Sequence, residues 1–222
     1  MPKFELAYDP EIALKALRKD PILKSLIRRV GPFALELRPN HSPFEALAES
    51  IVYQQLNGKV AATIWGRFKG SFDSPHLRPE DVLAAEDATL RSAGLSGAKA
   101  IAVRDLALKT GQGLVPGWAD LRKLEDEAII ERMIQIRGIG RWTVEMLLIF
   151  RLGRPDVWPV DDFAVRKAFG QLMELEKPPL KLMREQAEAW RPYRSVVAWY
   201  LWRDFSLPRV SPQGIPRSLD QG

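Results

Sequence analysis

Apolar residues recur at helical spacing along almost the whole chain, and no segment sustains the strict alternation of a half-buried strand. That pattern restricts the fold to an all-α class. Asp9-Pro10 and Asp20-Pro21 each open a short helix with Pro at its first position, over Pro10–Lys19 and Pro21–Val30. Ser42-Pro43-Phe44-Glu45 reads as a capping box that starts a longer helix running to about Leu56. Further helices are predicted over Lys59–Phe68, Pro79–Ala85, Asp87–Ala93, Ala98–Thr110, Trp118–Leu124, Glu125–Ile136 and Trp142–Leu152. One more begins at Asp161 or Asp162, and Leu180–Trp190 and Arg194–Phe205 close the domain. Phe33–Leu37 is expected as a strand or an extended connector. The tail Leu207–Gly222, rich in Pro, Gly, Ser and Gln, is expected to be disordered.

Composition narrows the chemistry. The chain has no cysteine, which removes thiolate nucleophiles, zinc–thiolate sites and cysteine-ligated iron–sulfur clusters. Its two histidines, His41 and His76, leave little for a histidine metal site or a Ser-His triad. Hydrophobic residues at 46% and charged residues at 27% give enough apolar matter for a core, so the chain is globular. No apolar run is long enough to span a bilayer, and Met1–Tyr8 lacks a signal-peptide core, so a cytoplasmic protein without a membrane partner is expected. Lys and Arg exceed Asp and Glu by 33 to 28, a net charge of +5, which favours a polyanionic partner.

Ile136-Arg137-Gly138-Ile139-Gly140-Arg141-Trp142-Thr143 joins two helices through a very short turn. Two glycines spaced by one residue permit positive φ and close backbone approach. The second helix starts at the turn, so its first N–H groups and its positive dipole end face outward, flanked by Arg137 and Arg141. Such an arrangement suits a phosphate; the plain alternative is a glycine cap and a tight αα turn. Downstream, Val157-Trp158-Pro159-Val160 delivers two adjacent carboxylates, Asp161 and Asp162, at a helix start. One of them suffices for a cap.

The ordered string of apolar helix, Gly138-Ile139-Gly140, Arg141-Trp142-Thr143, apolar helix and Asp161-Asp162-Phe163 resembles the helix-hairpin-helix superfamily of DNA glycosylases. The similarity spans about Ser42 to Arg203 and is closest to its alkyladenine branch, 3-methyladenine DNA glycosylase II. The resemblance implies a two-lobed helical bundle with a central cleft, one domain over residues 1–206 with its motif at about 134–146. The additional N-terminal sheet domain of longer members is expected to be missing. The function implied is hydrolysis of the N-glycosidic bond of alkylated purines, such as 3-methyladenine and 7-methylguanine, after base flipping. A carboxylate suits it, because breaking that bond builds positive charge on the deoxyribose.

Residue by residue, the resemblance puts catalysis on Asp162 with Asp161 capping or supporting it, although counting from the following basic residue points to Asp161. Trp142 stands where bifunctional relatives carry a Schiff-base lysine, which implies hydrolysis without strand cleavage. Trp142, Phe163 and Trp202 match base-pocket positions, and Tyr53 is added for its place before Gln54-Gln55. Trp158 and Trp199 are further stacking candidates, while Trp65, Trp118 and Trp190 read as structural. Gly138, Gly140, Arg137, Arg141 and Thr143 are expected at DNA, with Gln54, Gln55 and Asn57 as contacts to the opposite strand or as caps. Leu95 or Ser96, in Gly94-Leu95-Ser96-Gly97, is the expected wedge that fills the space left by the flipped base. The family also implies a structural Na+ or K+ on carbonyls near Ile134, Ile136 and Ile139. Otherwise no cofactor and no iron–sulfur cluster are expected. The partner is double-stranded DNA containing alkylated bases, bound by a nucleoid-associated monomer in a prokaryotic cell. A non-enzymatic helix-hairpin-helix DNA-binding module and a glycosylase for oxidised or deaminated bases are the alternatives.

Overall fold

The computed structural model describes residues 5–38 and 40–208, so most of the predicted disordered tail lies outside the described residues. Among the described residues all regular structure is helical: α1 (Pro10–Leu17), α2 (Pro21–Val30), α3 (Pro43–Tyr53), α4 (Gly58–Gly70), α5 (Pro79–Ala84), α6 (Asp87–Ser92), α7 (Gly97–Gly111), α8 (Trp118–Leu121), α9 (Asp126–Met133), α10 (Arg141–Phe150), α11 (Phe163–Leu172), α12 (Leu180–Glu188) and α13 (Arg194–Ser206). Phe33–Leu37 is an extended connector. The chain divides into two compact units, one of Met1–Leu6 and Leu37–Gly153 and one of Ala7–Glu36 and Arg154–Gly222.

The helix starts follow their local chemistry. Asp9 and Asp20 accept the first free amides of α1 and α2, with Glu11 N at 2.8 Å and Ile22 N at 2.8 Å. Ser42 accepts Glu45 N at 3.1 Å, but the Glu45 carboxylate turns to Lys69 Nζ at 2.6 Å, so the expected reciprocal box is only half formed. Several helices end earlier than their apolar pattern suggests, α3, α8 and α9 by three residues each. α3 stops at Tyr53, because Gln54 is extended (φ −54°, ψ 133°) and Gln55 is left-handed at φ 57°. α9 stops at Met133, after which Ile136 N bonds Met133 O and Ile139 N bonds Ile136 O, both at 3.0 Å.

In the first unit α7 packs on α3, α5 and α6, and α10 packs on α3 and α9. Phe44, Leu47, Ile51, Leu106, Ile129 and Leu148 form the core there, each fully buried side chain contributing roughly 1.5–3 kcal/mol. In the second unit α13 packs on α2 and α11, and Val196 to Leu201 are buried on every face. Trp158 meets Phe169 and Trp190 edge to face and those two rings are tilted to each other, with centroids 5.4–6.3 Å apart. Trp158 and Trp199 are only 8% and 6% exposed, which corrects their reading as stacking platforms: both rings fill the core. Trp118 and Trp190 are buried as expected, and Trp65 is half-buried under Lys69.

Candidate nucleic-acid interface and active-site residues

In the first unit the turn between α9 and α10 is held from outside itself. Asp105 on α7 accepts the Arg137 backbone amide at 2.7 Å and Lys109 Nζ at 2.9 Å, and Lys109 also donates to the Gln135 carbonyl. Burial pushes the Asp105 carboxyl up, yet the Arg137 amide and Lys109 outweigh it and hold it below the ordinary carboxylate range. Gly138 has φ 80°, and a Cβ there would meet the Ala102 Cβ on α7 at 3.1 Å. Only glycine tolerates both conditions. Gly140 caps α10 with no side-chain bond, so the first amides of that helix and its positive end are not covered by their own cap. Arg137 and Arg141 are exposed beside it.

The α3–α4 turn belongs to the same assembly. Gln54 Nε2 donates to the Gly138 carbonyl at 2.8 Å. Lys99 Nζ donates to the Val52 and Gln54 carbonyls at 2.7 and 2.8 Å, satisfying the orphan end of α3, and burial lowers its pKa. Between these two clamps stand Gln55, exposed and left-handed, and Leu56, 37% exposed. A non-glycine residue at positive φ is strained, and such strain clusters at ligand contacts. A cavity of 530 Å³ opens beside this turn, lined among others by Tyr53, Gln54, Trp142, Met146, Phe150, Glu49 and Arg151. Trp142 is 46% exposed, a large apolar surface left in water.

The second unit carries the carboxylates. Asp162 is 9% exposed and is itself the N-cap of α11, accepting Val165 N on Oδ1 at 2.9 Å. The same oxygen accepts Trp202 Nε1 from α13 at 2.9 Å. Donors from two helices therefore fix one carboxylate oxygen in position. Phe163, the first residue of α11, is 67% exposed and meets Phe205 edge to face at 6.0 Å.

Residues 48–192, a stretch that includes both the hairpin and Asp162, match the model of the HhH-GPD superfamily of base excision DNA repair proteins. The chain belongs to this superfamily. It is 39% identical over 204 residues to DNA-3-methyladenine glycosylase 1 of Schizosaccharomyces pombe, covering 89% of this chain and 87% of that protein. The solved structure of the S. pombe 3-methyladenine DNA glycosylase in complex with abasic DNA has a TM-score of 0.75 and 36% identity, over 88% of this chain and 97% of that one. A DNA-3-methyladenine glycosidase from Bacillus halodurans superposes with a TM-score of 0.80 at 32% identity, covering 92% and 93%.

Within this HhH-GPD protein the structure corrects some sequence expectations and gives partners to other residues. Leu95 is 2% exposed and packs inward, so it is core; a wedge needs a side chain in solvent. Its neighbour Ser96 is exposed but also caps α7 through Lys99 N at 3.3 Å. Asp162, not Asp161, is the cap, and Asp161 is exposed. Arg141 is paired with Glu127 of α9, and the Thr143 side chain is buried at the cavity rather than displayed. Asn57 caps α4 through Val60 N at 3.0 Å. Sequence reading missed Lys99, Asp105 and Lys109, ordinary charges on one helix whose role exists only once α7 lies against the turns.

Proposed function

We propose that this chain is a monofunctional DNA glycosylase that hydrolyses the N-glycosidic bond of alkylated purines in double-stranded DNA. The observation that carries the reading is the Asp162 carboxylate, anchored by two N–H donors in an HhH-GPD chain whose hairpin is followed by Trp142, not lysine. The bond from C1′ to the purine nitrogen breaks and the base keeps the electron pair. The positive charge left on the sugar is stabilised by the fixed Asp162 anion, and water adds its oxygen to C1′ while its proton departs. An N-alkylated purine already bears positive charge, so it leaves as a neutral base with little acid help. Trp142 stands at the position of the lysine that forms a Schiff base in bifunctional relatives, so the product is read as an abasic site in an unbroken strand.

Gly138, Gly140 and the start of α10 hold a phosphate, with Arg137 and Arg141 adding charge. In the first unit the exposed Trp142 offers stacking surface beside Tyr53 at the cavity; in the second unit Phe163 is exposed and Trp202 orients Asp162. Gln55 and Leu56, at the strained tip of the α3–α4 turn, fill the space in the duplex, with Gln54, Asn57 and Ser96 nearby in sequence or on the next clamp. Na+ or K+ on the carbonyls of Ile134, Ile136 and Ile139 would add positive charge at the hairpin. The Ile136 carbonyl already accepts the Ile139 amide, so only its second lone pair would serve. Among the described residues no helix is long and apolar enough to cross a membrane, and the enzyme is read as a nucleoid-associated monomer of a prokaryotic cytoplasm.

The test is incubation with methylated duplex DNA, quantifying released bases and strand nicks. Release of 3-methyladenine or 7-methylguanine without nicks is expected, abolished by Asp162→Asn and retained in Asp161→Asn. Asparagine still caps a helix, so the substitution removes charge rather than fold. Intact DNA binding with no base release would leave a DNA-binding module.

A further inference from the structure

Glu49, on α3, lines the 530 Å³ cavity beside Tyr53, Trp142, Met146 and Phe150. Both of its polar contacts fall on one oxygen: Oε2 accepts Arg151 Nη2 at 2.8 Å and Asn40 Nδ2 at 3.2 Å. Those two donors are themselves fixed. Arg151 Nη1 donates to the Arg38 carbonyl at 2.5 Å, and the Asn40 carbonyl accepts Trp118 Nε1 at 3.2 Å. Among the described residues Oε1 receives no hydrogen bond, and the side chain keeps 26% of its surface accessible. The cavity wall thus presents a carboxylate oxygen held in place with its acceptor capacity unspent, amid an apolar and aromatic lining.

Arg151 largely neutralises the Glu49 charge, so net attraction for a cationic ring is not what this oxygen offers. What it offers is hydrogen-bond polarity. An adenine derivative carries an N–H donor at position 6, whereas hypoxanthine carries a carbonyl there. An acceptor facing an acceptor leaves both without a partner, and a site built to bond a polar group rejects the analogue that lacks it.

We propose that Glu49 reads the purine entering this cavity, accepting an N–H from a 6-amino group and so selecting adenine derivatives over hypoxanthine. The inference rests on the glycosylase reading above, and it makes Arg151 and Asn40 positioning residues for Glu49.

Glu49→Gln tests it with the full-length protein. Glutamine keeps an oxygen for Arg151 and Asn40 and turns its amide N–H into the cavity, reversing the polarity of the wall. Single-turnover release is measured for 3-methyladenine in methylated duplex and for hypoxanthine in an otherwise identical duplex. The expected result is about a tenfold fall for 3-methyladenine, the loss of one hydrogen bond to a charged acceptor, together with a rise for hypoxanthine. A gain on one substrate is something misfolding does not produce. Proportional loss on both, or an unchanged ratio, overturns the role of Glu49 while wild-type release of 3-methyladenine still upholds the glycosylase. Absence of wild-type release on either duplex overturns both.

Discussion

Trp202 Nε1 and the Val165 amide converge on the same Asp162 oxygen, each at 2.9 Å, although they come from helices 40 and 3 residues away in sequence. The amide is the unavoidable start of α11; the indole is the extra constraint. Trp202→Phe retains an aromatic ring and removes the donor, so the carboxylate keeps its charge and loses the indole as an anchor. A hydrogen bond to a charged group is worth about 1.5–3 kcal/mol. Single-turnover base release is therefore expected to fall tenfold or somewhat more, with duplex affinity within about twofold. An unchanged rate would show that the cap alone positions Asp162.

Asp105 fixes the hairpin through the Arg137 amide and Lys109, and its folded pKa lies below the ordinary value. The unfolded chain therefore binds more protons over the range between the two values. The stabilisation is complete above the unfolded carboxylate pKa and is lost as pH falls through the folded one. Asp105→Asn, which can still accept the amide but cannot attract the ammonium, is expected to lower stability by about 1 kcal/mol at pH 7. Urea melts at falling pH should see that gap close. A gap independent of pH would mean that packing, not charge, links Asp105 to the turn.

The hairpin and the aspartate pair were legible because their residues are consecutive and their requirements are backbone requirements: Gly138 at positive φ, Asp162 at a helix start. Roles set by distant partners were not legible. Leu95 carries the same local signal as a turn residue whether it points out or in, and only the packing of α7 turns it into core. Glu45 at the third position after Ser42 satisfies the capping-box pattern, but Lys69, twenty-four residues away, competes for its carboxylate with a charge. Gln54 and Gln55 are adjacent and alike in composition. One clamps the Gly138 carbonyl and the other stands strained in solvent, because the chain reverses between them. The apolar period extended α3 to Leu56 for the same reason: periodicity does not register a left-handed residue.

Gly138 answers to two constraints, φ 80° and the Ala102 Cβ at 3.1 Å from where a methyl would sit. Gly138→Ala is expected to destabilise the protein by roughly 1–2 kcal/mol through the left-handed backbone, and to weaken duplex binding by displacing the turn. Ala102→Gly in the same chain removes the contact and leaves the backbone strain. Ala102→Gly alone costs about 1 kcal/mol as a glycine inside α7, so the expected result is a double variant less destabilised than the sum of the two single variants. Strict additivity would assign the whole cost of Gly138→Ala to the left-handed backbone.

Arg141 lies at the start of α10, where a phosphate would bind, yet its guanidinium is engaged by Glu127 of α9 in a pair that remains exposed to solvent. The Arg141 interaction also holds the Glu127 carboxyl below its ordinary range. DNA and Glu127 thus compete for one cation. Each phosphate neutralised contributes a slope of about −0.9 to log K against log salt. Glu127→Gln should loosen the guanidinium, which Glu145 still faces at 4.0 Å, tighten duplex binding at low salt and steepen that slope by up to about 0.9. Arg141→Gln should flatten it only by the part of that one contact the wild-type protein already makes, so the two changes together come to about 0.9. Glu131→Gln, on the same helix, adds the same net charge and serves as the control for a general electrostatic effect. Equal slopes in Glu127→Gln and Glu131→Gln would show that Arg141 does not reach a phosphate, and would leave the hairpin amides as the anion site.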